Sequence, residues 1–350
     1  MDKNKNINID ELNDEELLSM RLCDLDIKVE GTWLEVCVQK LYSELEEKGI
    51  KIHPPCYLAD EWLCPDGEPV IGIAFFLAHP RLKKLEQSMM LEVEGEDKKS
   101  CMQLLRHEMG HALNYAYLLH RRKRWKELFG SFSSEYGERY KYRPYSKSFV
   151  RHLEGWYAQY HPDEDFAETF AVWLDPSSEW KEIYKRWKAL NKLRYVDSVM
   201  KEISRKPPKK DKGEKFWEVS KMRTTLKTLY KRKRALYFEN YPDFHDLHLM
   251  DIFSKEEYSK KEEKAFKLIA RHRKKITDEV AVWTGEKKFI ISRLLKDIKD
   301  RCRELGLKTG ADETGDVLKI TAYVTTQTMN YIYTGKYKGK NEKTKSAGTL

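Results

Sequence analysis

The sequence predicts an α+β fold: a small sheet and several helices up to residue 204, then a mainly helical, basic domain. Three observations predict it. Two short apolar runs, 50–58 and 70–78, flank the turn cluster CPDGEP. Apolar residues recur at helical spacing in 32–48, 100–120 and 163–174. The charge also changes sign along the chain: residues 1–200 carry 29 Lys+Arg against 35 Asp+Glu, a net of −6, while residues 201–350 net +15 within the overall +9. A length of 350 residues suits two domains, and 12% aromatic content excludes a disordered or fibrous chain.

Taken in order, the polar start MDKNKNINIDELNDEE has neither a basic segment nor an apolar one, so no signal peptide is expected. The longest apolar run, Val70 to Ala78, is nine residues, about half of what a membrane span needs. The expected location is the cytosol, with no membrane partner. Six scattered cysteines without a C-x-x-C pair are expected to be reduced thiols. Residues 32–48 read as a helix closed by Gly49, with Trp33, Leu34, Val36, Cys37, Leu41 and Leu45 at helical spacing. The runs 50–58 and 70–78 lie at hairpin distance, and the second, ending at Pro80, reads as a strand near a sheet edge. Helices follow over 100–120, 163–174 and 178–203. The segment 205–215, with Pro207-Pro208 and solvated charge, reads as a linker between a domain over 1–204 and a basic, mainly helical one over 216–336; 337–350 reads as a disordered tail.

One constellation carries chemistry: His107-Glu108-Met109-Gly110-His111 inside the helix over 100–120. Residues i and i+4 share a helix face, so both imidazoles reach one ion, and the intervening Glu lies on the flank, where it can touch a water on that ion. Two His and one carboxylate make an open zinc site, whose water becomes acidic enough for Glu108 to deprotonate. Chance places only about 0.03 such motifs in a chain of this composition. The rival reading is an ordinary helix with two incidental His; the stripe Leu105, Met109 and Ala112 beside the motif favours the metal site. For the third ligand, Glu164 and Glu168 sit four apart in HPDEDFAETF, and one can bind metal while the other fixes a His tautomer. Asp163, Asp165 and His161 are rival ligands, and a solvated acidic stripe is the bland alternative.

HEMGH followed by a DEDFAETF helix resembles the gluzincin type of zinc metallopeptidase, and residues 21–200 resemble the bacterial putative zinc-binding metallopeptidases. The matching segments are EGTWLE (30–35), YLADEW (57–62), FLAHPRL (76–82), HEMGHALNYAY (107–117) and YHPDEDFAETFAVWL (160–174). The resemblance implies a zincin-like catalytic domain and a zinc-dependent endopeptidase acting on a protein or peptide. It implies Zn2+ held by His107, His111 and Glu164, with Glu168 orienting a ligand His and Glu108 as general base. Toxin-like relatives of this type place a Tyr seven residues before the ligand Glu to stabilise the oxyanion. Tyr157 has that spacing, with Tyr160 as competitor.

Other features carry less. His245 and His248 lack a third ligand at suitable spacing, so they read as surface residues rather than a second metal pair. The basic clusters KRKR (231–234) and RHRKK (271–275) read first as solvated helix faces. Nucleic-acid binding through the basic half, with the metal fold tethered to it or inactive, is the alternative function, and no nucleic-acid-binding motif supports it.

Overall fold

The computed structural model describes residues 8–134, 143, 146–235, 245–254 and 263–334. The chain forms two compact units. One gathers Met1–Met89, Val93–Gly137 and Tyr142–Arg234; the other gathers Met90–Glu92, Glu138–Lys141 and Ala235–Leu350.

The first unit is built from α1 (Asp14–Ser19), α2 (Trp33–Glu47), β1 (Cys56–Ala59), β2 (Ile71–Ala74), α3 (Pro80–Met90), α4 (Lys98–Tyr117), α5 (Lys123–Phe129), α6 (Pro162–Leu174), α7 (Trp180–Ile183), α8 (Leu190–Ile203) and α9 (Leu226–Ala235). Local chemistry sets the ends. Thr32 caps α2 by accepting the Leu34 N–H, and Asp97 caps α4 through a reciprocal box with Ser100. α2 buries Leu34, Cys37, Val38, Leu41 and Leu45, while Val36 turns outward. The helix expected over 178–203 is two, α7 and α8. Beneath α4, Arg106 makes a bidentate pair with Glu44 of α2 (2.8 and 2.8 Å) and reaches Asp175 after α6 (3.2 Å), a buried network tying three elements together.

The sheet departs from the expected hairpin. β1 and β2 pair parallel, Cys56 opposite Ile71 through Ala59 opposite Ala74. The turn in CPDGEP does fold the chain back on itself, but between Leu63 and Gly72, which exchange both backbone hydrogen bonds (3.2 and 2.8 Å). β2 is thus flanked on both sides, by β1 and by Leu63, and Ile71, Ile73, Ala74 and Phe75 are fully buried. The side of β2 away from β1 is thus covered at Gly72 by a single bridge. A run without polar residues is what a strand buried on both faces needs.

The segment 205–215 does not hang free. The Pro-Pro pair ends the helix, yet the backbone beyond it finds partners on the first unit. Lys209 and Lys210 N–H both donate to Ala116 O at the end of α4 (2.8 and 3.0 Å). Tyr57 OH donates to Phe216 O, and Leu22 and Cys23 N–H donate to Thr224 and Met222 O. The first unit accordingly extends to Arg234, and Lys233 of the KRKR cluster is buried in ion pairs with Glu61 (2.6 Å) and Glu86 (3.0 Å).

The second unit contains α10 (Asp246–Ile252), α11 (Ala265–Thr284), α12 (Lys288–Glu304) and α13 (Glu313–Thr334). Leu268, Ile276, Val280, Leu295, Ile298 and Val324 lie at its core. Within RHRKK, Arg271 pairs with Glu263 and Glu313, and Arg273 donates to Ser292 Oγ. His245 bonds Tyr323 OH at 2.7 Å. The expected tail, 337–350, lies outside the described residues. No helix among the described residues is long and apolar enough to cross a membrane.

Candidate metal centre

α4 and α6 meet at Gly110. A Cβ built there would lie 2.7 Å from the Ala167 Cα, so only glycine lets the two backbones come this close. Both helices are buried along almost their whole length, polar residues included. That rules out the solvated acidic stripe: Glu164 is 6% exposed and Glu168 0%. α6 can carry its acids because Asp163, Glu164 and Asp165 occupy its first turn, where the helix dipole favours negative charge. Pro162 opens the helix, and His161 caps it by accepting the Asp163 N–H.

The three donors converge. His107 Nε2 and His111 Nε2 are 3.1 Å apart, and Glu164 Oε2 lies 3.1 Å from the first and 3.2 Å from the second. The opposite ring nitrogens are held by carboxylates: His107 Nδ1 by Glu168 Oε1 and His111 Nδ1 by Asp163 Oδ2, both at 2.8 Å. An imidazole that donates through Nδ1 presents a lone pair at Nε2. Two lone pairs and a carboxylate oxygen then face one another across a buried gap, an arrangement that is repulsive without a cation. The spacings fit one. Zinc bonded to N or O at about 2.0–2.2 Å in a tetrahedron sets its donors about 3.3–3.5 Å apart. Among the described residues this is the group of metal-donor side chains that closes; His245 and His248 do not join one.

The electrostatics agree. Burial alone would lower the His107 pKa, but the hydrogen bonds to Glu164 and Glu168 outweigh it and hold it at about 9. His111 likewise rises against burial, through Asp163 and Glu164. Burial would raise Glu164, yet the two His hold it well below the usual carboxylate range. The carboxylates thus demand positive charge at the gap, which a proton or a metal supplies. Burial raises Glu108, with His107 and His111 pulling the other way.

Asp163, one of the rival ligands, stands outside the three converging donors. It orients His111, and it also accepts from Asn114 Nδ2 and Tyr115 OH, both at 2.6 Å. The other two rivals are also occupied. Asp165 pairs with buried Lys192, and His161 Nε2 donates to Ser134 O.

The donors open into a cleft of about 390 Å³ lined by Glu108, Tyr157, Trp62, Cys64 and Phe132 among others. Tyr157 stands over His107, with ring centroids 5.5 Å apart. Tyr160 stacks on Tyr157 at 6.0 Å and is not part of the lining. Trp156, beside Tyr157, has φ +61°, a costly conformation for a bulky residue, and the Arg151 guanidinium lies 4.5 Å from its ring. His79 accepts the Arg81 N–H within its own turn and has no part in the lining.

Residues 82–202 match the model of a family described as putative zinc-binding metallo-peptidase, a span that holds α4, α6 and all three donors. The segments EGTWLE and YLADEW, and FLAHPRL but for Leu82, lie outside the match. No curated protein and no solved structure matches the chain significantly.

Proposed function

We propose that the protein is a zinc-dependent endopeptidase of the gluzincin type. The observation that carries this reading is the meeting of three acceptor atoms at 3.1–3.2 Å, with both outer imidazole nitrogens tied to carboxylates. His107, His111 and Glu164 hold the metal, and Glu168 and Asp163 fix the tautomers that aim Nε2 at it. Zinc held there supplies a Lewis acid and a water that ionises near neutral pH.

The remaining work belongs to the chain. Glu108, its pKa raised by burial, takes a proton from the attacking water and returns it to the leaving amine nitrogen. Tyr157 OH donates a hydrogen bond to the carbonyl oxygen as it gains negative charge. The substrate backbone has an edge to pair with at Trp62–Cys64, not at β2. Leu63 turns its N–H and C=O inward to Gly72, so by strand alternation those of its two neighbours point the other way, and all three residues line the cleft.

Metal analysis and cleavage profiling test the reading together. Wild type should bind one zinc and cleave members of a peptide library. Glu108→Gln should keep the zinc and lose at least about 100-fold in kcat. His107→Ala should lose the zinc. Unchanged cleavage by Glu108→Gln, or a zinc content indifferent to His107→Ala, would sink the proposal.

A further inference from the structure

Building on the peptidase reading, we infer that the cleft selects a basic side chain next to the scissile bond, and that Asp66 is the carboxylate that reads it. The chain has 66 Lys+Arg, yet the described residues lining the cleft include four carboxylates, Asp66, Glu108, Asp163 and Glu164, and neither Lys nor Arg. Three of the four are committed: Glu164 to the metal donors, Asp163 to His111, Asn114 and Tyr115, and Glu108 to proton transfer. A divalent metal balances two of these three charges. Asp66 stands apart from them. It is exposed and has no hydrogen bond or ion pair among the described residues.

Its position is fixed in advance. Asp66 sits at the tip of a tight turn in which Glu68 N–H donates to Pro65 O (2.9 Å) and Gly67 takes φ +71°. The turn is clamped from below. Glu68 accepts from Lys210 Nζ (2.6 Å) and from the Glu214 N–H (2.8 Å), and Lys210 Nζ also donates to Gly67 O (3.0 Å). The backbone that carries the carboxylate is thus held before the substrate arrives, which lowers the cost of ordering it on binding. The rings of Trp62 and Phe132 form walls of the same cleft, suited to the methylene stem and to the cationic head of Lys or Arg. An acidic side chain placed beside Asp66 would meet like charge.

The test separates selection from chemistry. Blocked hexapeptides that differ in one residue, with Lys, Arg, norleucine or Glu placed at each position in turn, are titrated by calorimetry into zinc-loaded Glu108→Gln protein. Binding is compared with and without Asp66→Asn or Asp66→Lys. Asn suits the same turn, so the fold is kept, and zinc content and far-UV circular dichroism verify it. At one position Lys and Arg should bind about five- to tenfold tighter than norleucine. The preference should shrink with added salt, vanish in Asp66→Asn and turn towards Glu in Asp66→Lys. Equal binding of Lys and norleucine by the Asp66 protein, or a preference that survives Asp66→Asn, overturns the inference. If the basic preference holds while wild type cleaves nothing, the peptidase reading fails and the inference stands; cleavage without basic preference gives the reverse.

Discussion

Each of the two imidazoles proposed as metal ligands is held by a carboxylate, Glu168 for His107 and Asp163 for His111, at the same 2.8 Å. These partners set which nitrogen keeps its proton, so they act on metal affinity without touching the metal. Glu168→Gln and Asp163→Asn should each weaken zinc binding about 10–100-fold, measured by competition with a chromophoric chelator. An affinity equal to wild type in either variant would mean that the ring is oriented by packing alone. Asp163 should also matter for folding, because it is buried and takes three side-chain donors. Glu168 is legible in the sequence from its spacing to Glu164. Asp163 is not, because a residue at i−1 on a helix shows no shared face with the ligand, and only the placement of α4 brings His111 to it.

At the scale of elements, the crossing of α4 and α6 decides whether the donors meet. Gly110 sits in a variable position of the H-E-x-x-H pattern, and nothing in the motif asks for glycine there. The demand comes from Ala167 of the facing helix. Gly110→Ala should cost about 1–3 kcal/mol by overpacking, read by denaturant titration, and should weaken zinc binding because α6 must move with Glu164 on it. Stability and affinity that both stay at wild-type values would show that the crossing has room to spare. The strap over 205–215 joins the end of α4 at Ala116 to the turn that carries Asp66. Lys210→Met should speed hydrogen exchange in residues 63–72 and leave the zinc stoichiometry at one; exchange rates identical to wild type would remove the clamp from the account. Pro-Pro and a run of charges look like a linker in sequence, since composition does not say which carbonyls wait for the backbone N–H groups.

For the whole molecule, the change of charge near residue 200 does not follow the two units, because the basic run 201–234 belongs to the first. The metal donors all lie in the first, while several cations of the basic clusters are spent in ion pairs, Lys233 with Glu61 and Glu86, Arg271 with Glu263 and Glu313. The second unit carries a titration of its own. Burial, with His248 adding to it, lowers His245 from 6.5 to about 4. Between those values the unfolded chain binds the proton and the fold does not, so this contribution is complete above pH 6.5 and is lost as pH falls towards 4. The full loss is on the order of 3 kcal/mol. Hydrogen exchange of α13 measured from pH 7 to 4, corrected for intrinsic rates, should report it, and His245→Gln should flatten the dependence. A profile unaltered by that substitution would assign the acid sensitivity elsewhere.

The sequence by itself placed the helices around 32–48, 100–120 and 163–174, through apolar spacing, and named His107, His111 and Glu164, which the fold brings together, because an i, i+4 pair of His and an i, i+4 pair of Glu are local facts. Only the tertiary structure decided what those residues face. It made the strands parallel, buried the strand expected at the edge, put Leu63 in its place and turned an expected linker into a strap. It also gave Asp163 its hydrogen-bond partners and left Asp66 exposed in the lining of the cleft, without a hydrogen bond or ion pair among the described residues. The reason is the same throughout: periodicity reports which face a side chain takes, whereas its partner is set by where another element happens to pack.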